Sequence, residues 1–97
     1  MTELTIKSDR VDVVKSELQS ALDGQRRMIQ HSIKRTGLNL TAFEEKYGFS
    51  TPELLRKEAD GSLDDNNLEI IEWIGETKAL ERLRSELEIL EEIRICS

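Results

Sequence analysis

The 97 residues predict an all-α protein: two long helices, over about 9–36 and 66–94, with two short helices between them. Three observations carry this. Apolar side chains recur at three- and four-residue spacing along most of the chain. Pro52 is the sole proline and there are five glycines, too few breakers for a turn-rich β fold. Charged residues make up 35% and apolar residues 37%, the balance of amphipathic helices with solvated faces. A chain of this length makes one domain, 1–97, and if compact would bury about 65% of its unfolded surface.

The elements follow in order. In residues 3–7, ELTIK, Leu4 and Ile6 fall on one side, the alternation of a short strand. A lone strand needs a partner, so residues 1–8 read as a strand that pairs elsewhere or as a flexible tail. Ser8 or Asp9 is suited to cap the first helix. Its apolar stripe is Val11, Val14, Leu18, Ala21, Leu22, Met28, Ile29 and Ile33, with Gln25 and Ser32 interrupting and Gly24 as a kink or break. Gly37, after Lys34 and Arg35, has the place of the left-handed residue beyond a helix end. Thr41 and Glu44 are spaced as a capping box for a two-turn helix that carries Phe43 and Tyr47 and stops at Gly48. Ser50 and Glu53 are spaced as a second box, with Pro52 in the first turn and Phe49 and Leu54 as a hydrophobic staple. That helix ends at Asp60-Gly61. Asp65 or Asn66 then caps the last helix, where Trp73, Leu80, Leu83, Leu87 and Leu90 form a seam, with Glu76 in the seam position between the first two.

Length adds a constraint. A 29-residue helix is about 44 Å long, whereas a compact globule of this size has a radius of gyration near 12.5 Å. The last helix therefore overhangs a compact monomer. The two long helices are expected to pair antiparallel, with the short helices at one end. One face of each is left for a second copy or a partner, so a homo-oligomer or a hetero-complex is expected.

Charge and composition exclude several functions. Residues 1–40 hold seven Lys/Arg against five Asp/Glu, and residues 41–97 hold seven against fifteen, so the total of −6 is concentrated in the second half. An acidic half complements a basic protein surface and repels a phosphate backbone. AFEEKYGFSTPELLRK has a helix-turn-helix outline. With Lys46, Arg56 and Lys57 against seven acids over residues 41–65, however, it cannot neutralise phosphates, and a hairpin packing its aromatics into a core is the better reading. DNA contact, if any, falls to the N-terminal part, where ELTIK before a helix has the order of a ribbon-helix-helix dimer with only Lys7 and Arg10 to serve it.

His31 and Cys96 are single, so no intrachain disulfide is possible and no zinc-ligand spacing exists, and Cys96 has no histidine near it in sequence to activate it. Asp60, Asp64 and Asp65 miss the spacing of a calcium loop, with Ser62 and Ile71 where ligands belong. No glycine-rich phosphate loop is present. The reading is of a non-enzyme with no catalytic residue, metal or cofactor. No leader or membrane-spanning run is seen, and the cytoplasm is the expected compartment.

Phe43-Glu44, Tyr47-Gly48, Ser50-Thr51-Pro52-Glu53, Asp60-Gly61, Asp64-Asp65 and Glu72-Trp73, followed by the Ala79-Leu80…Leu83…Leu87 helix, resemble the small antitoxin proteins of prokaryotic toxin–antitoxin pairs. The likeness covers roughly residues 41–93. It implies a partner encoded alongside: a small toxin, often a ribonuclease, with a basic surface. An acidic amphipathic helix suits such a surface, with its apolar stripe in a groove and its carboxylates facing Lys and Arg. On this reading Trp73, Leu80, Leu83, Leu87 and Leu90 anchor the partner. Glu81, Glu86, Glu88, Glu91 and Glu92 supply charge complementarity. The alternatives are an oligomerising helical adaptor, whose leucines pack only within the protein, and a weak DNA-binding regulator.

Overall fold

The computed structural model describes residues 8–64 and 66–93 of the chain. Within them it is all-helical: α1 over Ser8–Tyr47, α2 over Thr51–Asp60 and α3 over Leu68–Glu92. The expected strand at 3–7 lies outside the described residues. α1 and α3 pack side by side and antiparallel, and α2 packs on α3 near the end where they join, from Thr51 at Trp73 to Glu58 at Lys78. The molecule measures 62 × 29 × 19 Å with a radius of gyration of 20.2 Å. It is a rod, far from the ~12.5 Å expected of a compact chain of this length.

The first long helix and the first short helix are one. α1 runs for 40 residues, about 60 Å, through both Gly24 and Gly37. The capping box at Thr41 does not form. The Thr41 hydroxyl instead donates back to the carbonyl of Gly37 at 3.0 Å, as a threonine inside a helix does. The Glu44 carboxylate turns away to accept from the backbone N–H of Thr51 at 2.6 Å, satisfying one of the free amides that open α2. Continuity is set by packing. Ile29, Ile33, Thr36, Leu40, Phe43 and Tyr47 hold a three–four spacing straight across Gly37, and α3 lies along them. That burial outweighs the roughly 1 kcal/mol a helical glycine costs. Gly37→Ala should therefore raise stability by about 0.5–1 kcal/mol in urea unfolding, because a methyl there meets nothing within 4 Å. A loss of stability would mean that the helix breaks at Gly37 after all.

The real break is Gly48, at φ 76, whose N–H reaches the Glu44 carbonyl at 2.9 Å. Ser50 caps α2 as its spacing foretells, accepting from the Glu53 N–H at 3.3 Å. Gly61 closes α2 at φ 75. Its N–H bonds to the Glu58 carbonyl and the Ser62 N–H to the Lys57 carbonyl, the paired bonds of a Schellman stop. The aspartates of the following loop serve turns: Asp60 accepts from the Ser62 N–H and Asp64 from the Asn66 N–H, both at 3.0 Å. The Ser62 contacts hold the Asp60 carboxyl below its ordinary pKa. The cap of α3 is Asn67, not Asp65 or Asn66. Its side-chain oxygen accepts from the Glu69 and Ile70 N–H groups at 2.9 and 3.4 Å.

The core lies at the joined end of the rod. Leu40, Leu54, Ile70, Trp73 and Leu80 are buried there, with Phe43, Tyr47 and Phe49 packed against them. Trp73 has no solvent exposure. Its ring lies 5.1 Å from Phe49 and 5.7 Å from both Phe43 and Tyr47, so all four aromatics form one stack. The indole N–H donates to the Thr51 hydroxyl at 3.0 Å. At the rim, Lys46 reaches Glu69 at 2.6 Å and the Tyr47 hydroxyl donates to the same carboxylate at 2.9 Å. These two donors hold the Glu69 carboxyl below its ordinary pKa, and the hydrogen bond to Glu69 raises that of Lys46.

Candidate interaction surface

α3 presents two unlike faces. The inner one carries Ile70, Trp73, Thr77 and Leu80, all buried. Leu83, Leu87 and Leu90 continue it, half-buried against α1. The position between Trp73 and Leu80 belongs to Thr77, whose hydroxyl donates to the Trp73 carbonyl at 2.9 Å. Glu76, expected in the seam, stands at its margin and accepts from the Asn39 side chain at 3.3 Å. A polar group at a seam position is tolerated when its hydrogen bond closes on its own helix. A carboxylate there would lose its water without such a partner.

Of the ten residues read from the sequence as partner contacts, the structure splits the apolar five from the acidic five. Trp73 and Leu80 are core residues, so in this conformation neither can touch a partner. Leu83, Leu87 and Leu90 show only their outer edges. Glu81, Glu86, Glu88, Glu91 and Glu92 are all exposed. Among the described residues none of these five is in an ion pair; the pairs run Arg26–Asp23, Lys46–Glu69, Arg56–Glu53 and Lys78–Glu58. Arg82 and Arg84 are the only cations between Glu81 and Glu92.

Two apolar residues beside the leucine seam, Ile89 and Ile93, whose spacing in the sequence reads as a widening of the apolar stripe, stand exposed instead. Ile89 is 58% exposed and Ile93 is 45% exposed, one turn apart among these carboxylates. The sequence signal was available: Ile89 is out of step with the Leu80-Leu83-Leu87-Leu90 series, so it must point elsewhere when that series points inward. Where α3 ends, Gln25, Ile29, Glu86, Ile89 and Leu90 line an open groove of about 360 Å³. The result is an acidic, partly apolar C-terminal end of α3, which lies partway along the rod, level with Asp23 and Gly24 of α1.

Among the described residues no group of three or more His, Cys, Asp or Glu is placed to hold a metal ion, and no helix is long and apolar enough to cross a membrane. His31 is exposed on α1.

The molecule belongs to a class defined by shape: a long antiparallel helical hairpin locked at one end by a short helix. Its chain matches no protein-family model, no curated protein and no solved structure.

Proposed function

We propose that the chain is an antitoxin-like binding protein, which neutralises a small basic toxin, such as a ribonuclease, by covering it with the acidic end of α3. The observation that carries this is the set of five exposed carboxylates, Glu81, Glu86, Glu88, Glu91 and Glu92, in no ion pair among the described residues, around the exposed Ile89 and Ile93. Exposed carboxylates are suited to meet Lys and Arg of a partner, which sets both encounter rate and orientation. The two isoleucines give a small apolar centre to that acidic field. The antitoxin likeness of residues 41–93 supplies the class of partner. The anchoring role moves from Trp73 and Leu80 to Ile89 and Ile93, with the rims of Leu83, Leu87 and Leu90 beside them.

The test is capture of tagged protein from its native host, followed by charge reversal. The expected catch is a stoichiometric small basic protein that is toxic when expressed alone. Glu86→Lys/Glu88→Lys/Glu92→Lys should weaken its binding by roughly 100-fold and abolish neutralisation, since like charges then face each other across the contact. Undiminished neutralisation by that variant, with its helicity intact, sinks the proposal.

A further inference from the structure

We infer that a second copy of the chain covers the N-terminal overhang of α1, the two copies crossing antiparallel through it. The surface concerned is the overhang of α1, which meets the acidic end of α3 only at Glu91 and Glu92, and its test does not depend on a toxin partner.

The overhang follows from register. Asn39 faces Glu76, Phe43 stacks on Trp73 and Lys46 meets Glu69, so facing residue numbers total 115 or 116. Glu92, the last residue of α3, is therefore level with Asp23 and Gly24. Ser8–Leu22 of α1 extends past it by ~22 Å, reversing the expectation that α3 would be the overhanging helix. Leu22, Leu18 and Val11 precede the buried Ile29 by 7, 11 and 18 residues. Those spacings are close to two, three and five helical turns. They lie on the face that α1 turns to α3, continued beyond the place where α3 stops. Val14 adjoins them, and Val14 and Leu18 are 39% and 52% exposed. The face built for a helix runs on with no other helix of the described residues over it.

The occupant is identified by direction, length and charge. α3 lies antiparallel to α1, and a second α1 related by a two-fold axis also lies antiparallel to the first. It would occupy the lane that α3 vacates, each overhang as long as the lane the other leaves open, and the assembly closes at two. Val14 then stands opposite Leu18 of the second copy, so the stripe covers itself. Between Ser8 and Leu22 stand Arg10 and Lys15 against Asp9, Asp12 and Glu17, a nearly neutral strip with little attraction for a strongly charged partner. At each end, the first turn of α1, with Arg10, approaches the C-terminus of the other copy's α3, with Glu91 and Glu92. Opposite dipole ends and opposite side-chain charges meet there.

Sedimentation of the full chain tests this. The expected result is a reversible dimer of twice 11.2 kDa. Its dissociation constant should be ~10 µM, the weak end suited to an interface below standard size. Leu18→Glu and Val14→Glu should each weaken it by at least about 100-fold, because a carboxylate would be buried without a partner. Val13→Glu, on the far side of α1, should leave it unchanged. Circular dichroism checks that helix content is kept in each variant. With Cys96→Ser as background, Lys15→Cys beside the two-fold axis should oxidise to a covalent dimer, and Arg35→Cys should not. A monomer at ~500 µM, well above the expected constant, would overturn the inference. So would a dimer indifferent to Leu18→Glu and Val14→Glu, or cross-linking at Arg35→Cys in place of Lys15→Cys.

Discussion

Replacing Trp73 with alanine should lower stability by about 3–5 kcal/mol, the usual cost of removing a fully buried tryptophan. Total stabilities of small domains are only about 5–15 kcal/mol, so this one change removes a large share. Three reasons place it at the upper end of the range. The indole has no solvent exposure, and Phe43, Tyr47 and Phe49 all stack on it, so collapse into the space would require three rings from two segments to move together. Each lost aromatic contact adds about 0.5–1.5 kcal/mol to the area term. The Thr51 hydroxyl loses the indole N–H that it accepts at the opening of α2. Thermal unfolding followed by circular dichroism should show a midpoint roughly 15–30 °C lower, given about 4–8 °C per kcal/mol in a domain of this size. Trp73→Phe keeps most of the packing and should recover more than half of the loss. A shift of only a few degrees for Trp73→Ala would mean that the aromatic stack is not what locks the hairpin.

Trp73 also shows what a sequence of this kind reveals. Its helical period announced a packing face, and the buried row Ile70, Trp73, Thr77, Leu80 is that face. Periodicity says that something packs there and is silent on what. The seam was assigned to a partner, whereas Trp73 and Leu80 meet the protein's own core. The acids were legible for the opposite reason: unpaired glutamates in such number have no place inside, so their outward position follows from solvation alone. Punctuation was read well at Ser50 and Gly61, where cap and stop are consistent with the apolar pattern. It was misread at Gly37 and Thr41. There the same residue types lie inside a helix because α3 runs beside it, and local signals carry no record of that neighbour. The oversized rod has a related cause. Globular scaling assumes a chain that folds back on itself, and the first half of α1 has no segment among the described residues to fold back against it.

Leu54→Ala should produce a loss of similar size but different reach, about 2–5 kcal/mol and concentrated in α2. Leu54 has no solvent exposure and is the only buried residue of a ten-residue helix. A helix that short is not stable alone in water and depends on its docked face. The ties that remain include the Thr51 contacts to Trp73 and Glu44, the Lys78–Glu58 ion pair at 3.8 Å, and Lys57 lying 5.3 Å above the Phe49 ring. None of these buries apolar surface comparable to a leucine. Hydrogen exchange should therefore show the amides of 54–60 losing nearly all protection, while those of Ile29–Tyr47 and Ile70–Leu87 lose much less, as expected when one unit opens below the global barrier. Even loss of protection across all three helices would mean that α2 is part of the same cooperative unit as the hairpin. The distinction bears on function. Ile89 is 16 residues beyond Trp73 along α3, ~24 Å away. A change that loosens only α2 should leave partner capture by the acidic end intact, whereas Trp73→Ala, which weakens the pairing of α1 with α3, should impair capture along with the fold. Leu54→Ala that destroys capture at a temperature where α1 and α3 remain protected would place the binding surface at the core end of the rod.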